Sequence, residues 1–399
     1  MKKPICVLFV IIFLVVFIGK SAYAAEDEQV ISTVDEAPVE MQSEAYILIE
    51  ASSGKVLFQK NAEVAMPCAN VIKTYFILMF LQAIDEGDVT ADDEVTISEH
   101  AAGIGGSTVF LEKGETCKVG DLLHAAIINS ANDAIVALAE KLYGGEDAFI
   151  KVLNDKASEL GLTGTHIVNL TGNDVDGQTT TAADMAKISS MLVKYSLFFK
   201  SSTTWLDTFT HEDDRITQIV NLNKMIRNYE GCDGIKTGFS STAGQCLAST
   251  AKKGNTRYIY VGLNAPDSTS RYDDAKNAFN YAFANYSLKT IVTENQIIKK
   301  NVSVFGGSKD ILSIYASKGY SLLLKKDEEA NIETNIVIEE KPTAPISKGQ
   351  VVGHIDITQD GQSIVTIDIV AGEDISVINY SQSLMKILAD WLGINTTSS

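Results

Sequence analysis

A chain of 399 residues with 45% apolar side chains and six prolines is long enough for one large core plus a smaller domain, which excludes overall disorder. Its formal charge is −18, and residues 1–24 contain three lysines and no acid, so the remainder carries −18 − 3 = −21. A field of that sign excludes nucleic acid as a partner and offers no electrostatic attraction to an acidic bilayer.

The opening, "MKKPICVLFVIIFLVVFIGKSAYAAED", places two lysines before an apolar run from Ile5 to Ile18, with small residues at Ala22 and Ala24. This pattern predicts a signal peptide at residues 1–24, since the run falls short of the roughly 20 residues a full span needs. Export follows, to the outer face of the membrane or the cell wall. Four cysteines remain after Ala24: Cys68, Cys117, Cys232 and Cys246. Their spacing matches no zinc or disulfide-rich pattern, so buried thiols are expected; a Cys232–Cys246 bridge stays open because both flank one predicted hairpin. No spacing calls for a metal or another cofactor.

Residues 25–40 read as a polar linker. "AYILIEASSGKVLFQKN" (45–61) reads as two strands joined by a Ser-Ser-Gly turn. "VIKTYFILMFLQAI" (71–84) is apolar on every face except at Lys73, Thr74 and Gln82, which predicts a helix central to the core. Lys73 then sits either at the helix mouth or buried for a purpose. Helical pattern returns in "KVGDLLHAAIINSANDAIVALAEKLY", broken near Ser130 to Asp133, and in "EDAFIKVLNDKASELG" and "TTAADMAKISSMLVKY". Strands follow at "CDGIKTGFS", "GQCLASTAKKG" and "TRYIYVGLNA", then a helix with Ala275, Ala278, Phe279 and Ala282 on one face. This order predicts an α+β domain over residues 41–287, a helix-covered antiparallel sheet.

From residue 288 to 377, short alternating runs such as "YSLLLKK", "ETNIVIEE", "QVVGHIDI" and "QSIVTIDIVA" predict a small all-β domain. The tail, 378–399, places Leu384, Ile387, Leu388, Trp391 and Leu392 on one helical face, either packed on its own domain or lying on a membrane. Lys386 is its only basic residue and Asp390 opposes it, so charge gives little help to the second arrangement.

Three short stretches belong together. Lys73 opens the buried helix, "INSAND" supplies Ser130 and Asn132 at a helix break, and "DGIKTG" supplies Lys236, Thr237 and Gly238 on a strand. Penicillin-interacting serine enzymes combine S-x-x-K, S-x-N and K-T-G in this order. Singly, the triplets have plain readings as a capped helix break and an exposed strand end; their order and context argue for a site. The chain resembles the low-molecular-mass D-alanyl-D-alanine carboxypeptidases, penicillin-binding proteins that trim peptidoglycan stem peptides, including sporulation-associated members. "GSTVFLEKGE", "LGLTGTHIVNLTGNDVDG", "DGIKTGFSSTAGQCLASTAKKG" and "APISKGQVVG" carry the likeness along nearly the whole mature chain. The resemblance implies a DD-peptidase or β-lactamase-like fold and a C-terminal accessory domain. It also implies membrane attachment through the tail, a stem peptide ending in D-Ala-D-Ala as partner, and β-lactam binding.

The departures are as specific as the matches. In the register set by Lys73, "CANVIK" puts Asn70 at the family's serine position and Ile72 at its threonine position, and Leu170 replaces a loop proline. The resemblance gives Lys73 the role of proton acceptor and Ser130 that of proton relay. Asn132 would meet the substrate amide, and Lys236 with Thr237 would hold the terminal carboxylate. A carboxamide cannot attack a carbonyl, because its nitrogen lone pair is delocalised and no ordinary base ionises it near neutral pH. The expectation is a carboxypeptidase homologue that binds stem peptides without cutting them. Two rivals stay open: an active hydrolase with a substitute nucleophile, Cys68 or Ser130, and a non-catalytic envelope interaction protein. If Lys73 has no serine to activate, the Asn70 carbonyl is a candidate partner for its buried amine.

Overall fold

The computed structural model describes residues 37–392. The expected signal peptide at residues 1–24, most of the expected linker and residues 393–399 lie outside the described residues.

Strands β1 (Ala45–Glu50) and β2 (Val56–Lys60) form the opening hairpin. A 3-10 turn, Ala69–Ile72, runs directly into α1 (Lys73–Glu86). Then come β3 (Glu94–Thr96), α2 (Glu99–Gly103), β4 (Thr116–Lys118), α3 (Val119–Asn129) and α4 (Asn132–Tyr143). Helices α5 (Glu146–Glu159), α6 (Ala182–Leu192) and α7 (Ser196–Ser202) complete the helical layer. A hairpin, β5 (Leu206–Thr210) and β6 (Ile216–Val220), and the short α8 (Met225–Asn228) precede three long strands. These are β7 (Cys232–Ser240), β8 (Gly244–Lys253) and β9 (Thr256–Ala265), closed by α9 (Ser270–Asn285).

The main sheet has the order β2-β1-β9-β8-β7, antiparallel throughout. Strand period explains why β1 is buried along its whole length. Ile47 and Ile49 face the cluster that holds α1, α3, α4 and α6, whereas Tyr46 and Leu48 face Ala275, Ala278, Phe279 and Ala282 of α9. With both faces covered, every strand position is apolar except the buried Glu50. Helix α1 is buried from Lys73 to Leu81, as its all-round apolar sequence requires.

A second unit of pattern follows in β10 (Tyr286–Val292), β11 (Ile297–Ser303), β12 (Ile311–Ala316), β13 (Tyr320–Lys325), β14 (Ile332–Ile338), β15 (Val351–Gln359) and β16 (Gln362–Ala371). Five of these make a sheet of order β11-β12-β16-β15-β14, and β10 pairs with β13. Its core is a separate aliphatic cluster built on Leu312, Ile314, Ile355, Ile357, Ile367 and Ile369. Helix α10 (Tyr380–Trp391) ends the described chain. The α+β class with an all-β C-terminal portion is what the sequence predicts.

The four thiols are free and buried as expected, and the bridge left open between Cys232 and Cys246 does not form. Their hairpin register pairs Cys232 with Ala251 and Cys246 with Gly238, which sets them at opposite ends of the ladder and rules out the bridge. The β5–β6 hairpin was not anticipated, because its stability comes from distant partners. His211 Nδ1 lies 2.6 Å from Glu115 Oε1, and His124 Nε2 lies 3.0 Å from Asp207 Oδ2.

Asp274 of α9 fastens the entry of the chain to the sheet. Its carboxylate, 1% exposed, accepts from the backbone N–H of Gln42 (2.9 Å), from the N–H and hydroxyl of Ser43 (2.8 and 2.6 Å), and from the Tyr260 hydroxyl (3.4 Å). Asp274→Ala strands these buried donors, so urea unfolding should give a loss of about 3 kcal/mol. A loss under about 0.5 kcal/mol would contradict this account.

Candidate active site

The site forms where four elements meet: the 3-10 turn entering α1, the end of α3, the start of α4, and the edge strand β7. Helix α3 stops at Asn129, and Ser130 caps it in the left-handed region, φ +58°. For a residue with a side chain this is an uncommon conformation, held here by what surrounds it. Its carbonyl points to Lys73, and α4 starts two residues later with Asn132, whose N–H donates to Ser107 O (2.7 Å).

A helix leaves its last four carbonyls without intrahelical partners and carries partial negative charge at that end. Both lysines of the site converge on this terminus. Lys236 Nζ donates to Ala126 O and Ile127 O, 2.6 Å each. Lys73 Nζ donates to Ser130 O (2.7 Å) and to Asn132 Oδ1. Lys73 is fully buried and Lys236 is 3% exposed. Asn70 does not satisfy Lys73: among the described residues no hydrogen bond joins them, and the lysine's partners come from Ser130 and Asn132.

Burial lowers the pKa of Lys73 from 10.5 to about 7, partly opposed by the carboxylate of Asp133. Burial drives Lys236 well below its ordinary value, and the charge of Lys73 pushes it further the same way. A neutral amine still has two N–H donors, enough for the two carbonyls each lysine meets.

Asn70 lies within the 3-10 turn, three residues before Lys73, where side chains eclipse. Two glycines let the chain close around it. A Cβ on Gly238 would sit 2.8 Å from Cys68 O and 2.9 Å from Asn70 N, so β7 can approach the turn only with glycine there. Gly172, at φ +75°, brings its loop so close that a Cβ would lie 2.8 Å from Asn70 Oδ1. Arg271, which sequence reading missed, braces the strand by donating from Nη1 to Gly238 O (2.9 Å). Thr237 is buried beside Lys236 on β7.

Asn132 is held at both ends of its carboxamide, since Nδ2 also donates one of its two N–H groups to Gly105 O (2.7 Å). Asp133, likewise missed, accepts from the N–H groups of Val109, Leu111 and Ala134 at 2.9–3.2 Å and so pins the loop that covers Asn132. An acid directly after S-x-N in the first turn of a helix was the available signal. Ser130 Oγ is the exception: it is buried and, among the described residues, has no hydrogen-bond partner.

The Cys68 thiol is 2% exposed, and burial pushes its pKa up, which removes the thiolate a nucleophile needs. A cleft of about 230 Å³ opens beside the turn, lined by Pro67, Ala69, Gly172, Asp174, Gln178 and Thr242. Ser240 Oγ donates to Asp174 (2.5 Å) and ties the loop of the cleft to the end of β7. Among the described residues no group of three or more His, Cys, Asp or Glu is placed to hold a metal ion.

Between pH 7 and its ordinary value of 10.5, Lys73 is neutral in the folded chain and protonated in the unfolded one. The unfolded state then binds more protons, so the fold gains about 1.4 kcal/mol per pH unit from this group as pH rises through the window, and nothing below it. Lys73→Met removes that term. Urea unfolding from pH 7 to 9 should show the difference, wild type minus variant, growing by about that slope; parallel curves would contradict the burial argument.

Comparison with known proteins fits this geometry. The family model for D-alanyl-D-alanine carboxypeptidase matches residues 31–267, and that for the penicillin-binding protein 5 C-terminal domain matches residues 286–377. The D-alanyl-D-alanine carboxypeptidase DacF of Bacillus subtilis is 34% identical over 392 residues, covering 98% of this chain and 99% of the relative. Penicillin binding protein 5 from Haemophilus influenzae superposes with a TM-score of 0.69 at 26% identity, over 86% of this chain and 99% of that one. Penicillin-binding protein D2 from Listeria monocytogenes, in its ampicillin-bound form, superposes with a TM-score of 0.54 at 26% identity, over 62% of this chain and all of that one. A helix-covered antiparallel sheet, the S-x-N and K-T-G elements around one buried lysine, and family matches along both parts of the chain lead to one assignment: this protein belongs to the D-alanyl-D-alanine carboxypeptidase family.

Proposed function

We propose that this protein is exported and binds peptidoglycan stem peptides ending in D-Ala-D-Ala without hydrolysing them. The observation that carries the reading is the carboxamide at Asn70, three residues before the buried Lys73, on the 3-10 turn that β7 approaches closely at Gly238. A hydrolase of this type needs a hydroxyl whose oxygen attacks the scissile carbonyl as a nearby amine takes the proton. Here the amine is held in place and the hydroxyl is absent. The backbone N–H of Asn70 survives the change of side chain, and it keeps its share of a hole for the carbonyl oxygen.

Binding requires less than cleavage. Lys236 and Thr237 supply a cation and a hydroxyl for the terminal carboxylate, and Asn132 supplies an amide for the peptide backbone. An arriving carboxylate favours the protonated lysine, so binding takes up a proton. A β-lactam such as ampicillin, bound by the Listeria protein, would enter the same groove as a reversible ligand. Outside the groove, the exposed apolar residues of α10 support peripheral contact with a membrane, and the N-terminal leader supports export.

The uncommitted Ser130 hydroxyl favours one competing reading, in which Ser130 attacks in place of residue 70. Titration calorimetry with a pentapeptide stem, paired with an assay for released D-alanine, separates the two. Our reading predicts saturable binding that weakens as pH rises, a loss of about tenfold or more on Thr237→Val, and no D-alanine. Turnover abolished by Ser130→Ala would establish the competitor; absence of binding in a folded sample would remove the receptor reading.

A further inference from the structure

The C-terminal domain carries an apolar rim beside the start of α10. Segment 305–307 runs antiparallel to the strand end that leads into the helix: Gly307 bridges Val377, and the N–H of Ile378 donates to Gly306 O (2.9 Å). On its other side the segment is fixed again, with Phe305 N–H donating to Pro342 O and Phe305 O accepting from Ala344 N–H, 2.9 Å each. A backbone bonded on two sides makes Phe305 a fixed feature of the folded domain. Its ring is nonetheless 68% exposed, with Val377 at 55% and Tyr380 at 85%.

Tyr380 also opens the apolar face of α10. Leu384, Ile387, Leu388 and Trp391 recur at helical spacing after it, all exposed, with Trp391 at 84%. Rim and helix face therefore join at Tyr380 into one apolar surface, carrying an aromatic ring at the rim, at the join and at the far end. Clustered exposure of this kind marks a contact surface. Its charge indicates which kind. Segments 303–310, 339–348 and 373–392 contain six acids (Asp310, Glu339, Glu340, Glu373, Asp374, Asp390) and four bases (Lys309, Lys341, Lys348, Lys386), a net of 4 − 6 = −2. That excludes recruitment by anionic lipid and leaves apolar insertion as the driving force. Phe, Tyr and Trp at such a surface suit the boundary between headgroups and acyl chains.

We infer that Phe305, Val377 and Tyr380 form a second lipid contact, on the folded β-rich domain itself, that seats this domain against an uncharged bilayer surface beside the tail helix. The inference rests on the membrane reading of the tail given above. A helix alone tethers; a helix plus a rigid rim also fixes the angle at which the domain stands.

The full mature chain is mixed with phosphatidylcholine vesicles whose acyl chains carry bromine, a short-range quencher of tryptophan. The chain has two tryptophans, Trp205 and Trp391. In a Trp205→Phe background, Trp391 reports the tail; with Trp391→Phe and Phe305→Trp added, fluorescence reports the rim. Quenching at both positions, insensitive to added salt, is the expected result, with Phe305→Ser weakening vesicle partitioning about tenfold. Quenching of Trp391 without quenching at position 305 would overturn the second contact and leave the tail reading standing. Quenching at neither would overturn both. A concentration-dependent dimer in sedimentation, lost on Phe305→Ser, would assign the rim to a second copy of the chain and overturn the inference.

Discussion

Two lysines buried at the carbonyl end of one helix are the constraint on which the site depends. Lys73 and Lys236 come from distant elements; carbonyls at the end of α3 receive Lys236, and the carbonyl of its cap, Ser130, receives Lys73. An amine out of water needs acceptors on every side, and a helix terminus supplies them together with a favourable dipole. Meeting that need puts β7 next to the 3-10 turn, and it sets Ser130 and Asn132 at the break between α3 and α4. It also makes Gly238 obligatory where the strand touches the turn. Burial lowers the proton affinity of both lysines.

Against that frame, Asn70 changes one position and leaves the rest. The side chain is not recruited to repair the site, because Lys73 is already satisfied by Ser130 and Asn132. Nor does a neighbour offer a ready substitute in Cys68, whose thiol is buried in apolar surroundings. The groups expected to meet a carboxylate and a peptide amide stay in place while the attacking oxygen is missing, and this separation of holding from cutting is the basis of the receptor reading.

The fold was legible where the pattern was local. Alternation in "AYILIE" and "TRYIYVGLNA", all-round apolarity from Val71 to Ile84 and the break at "NSAN" each report the environment of their own element, and the structure places those elements accordingly. What escaped depended on partners far along the chain. The β5–β6 hairpin, "LDTFTHEDDRITQIV", is mostly polar and is fastened by Glu115 through His211 and by His124 through Asp207. The roles of Asp133 and Arg271 are likewise set by loops and strands they do not adjoin in sequence. In the site, S-x-N and K-T-G revealed which residues gather. They did not reveal that Lys236 spends its donors on helix carbonyls or that Lys73 ignores Asn70.

The proposed function requires that the site be assembled and lack one attacking atom. Intact-mass measurement after incubation with a penicillin tests it directly, on the wild-type protein beside Asn70→Ser. The account predicts no covalent adduct on the wild type and one penicilloyl group on the serine variant. An adduct on the wild type, or none on a folded Asn70→Ser protein that still binds the stem peptide, would contradict it.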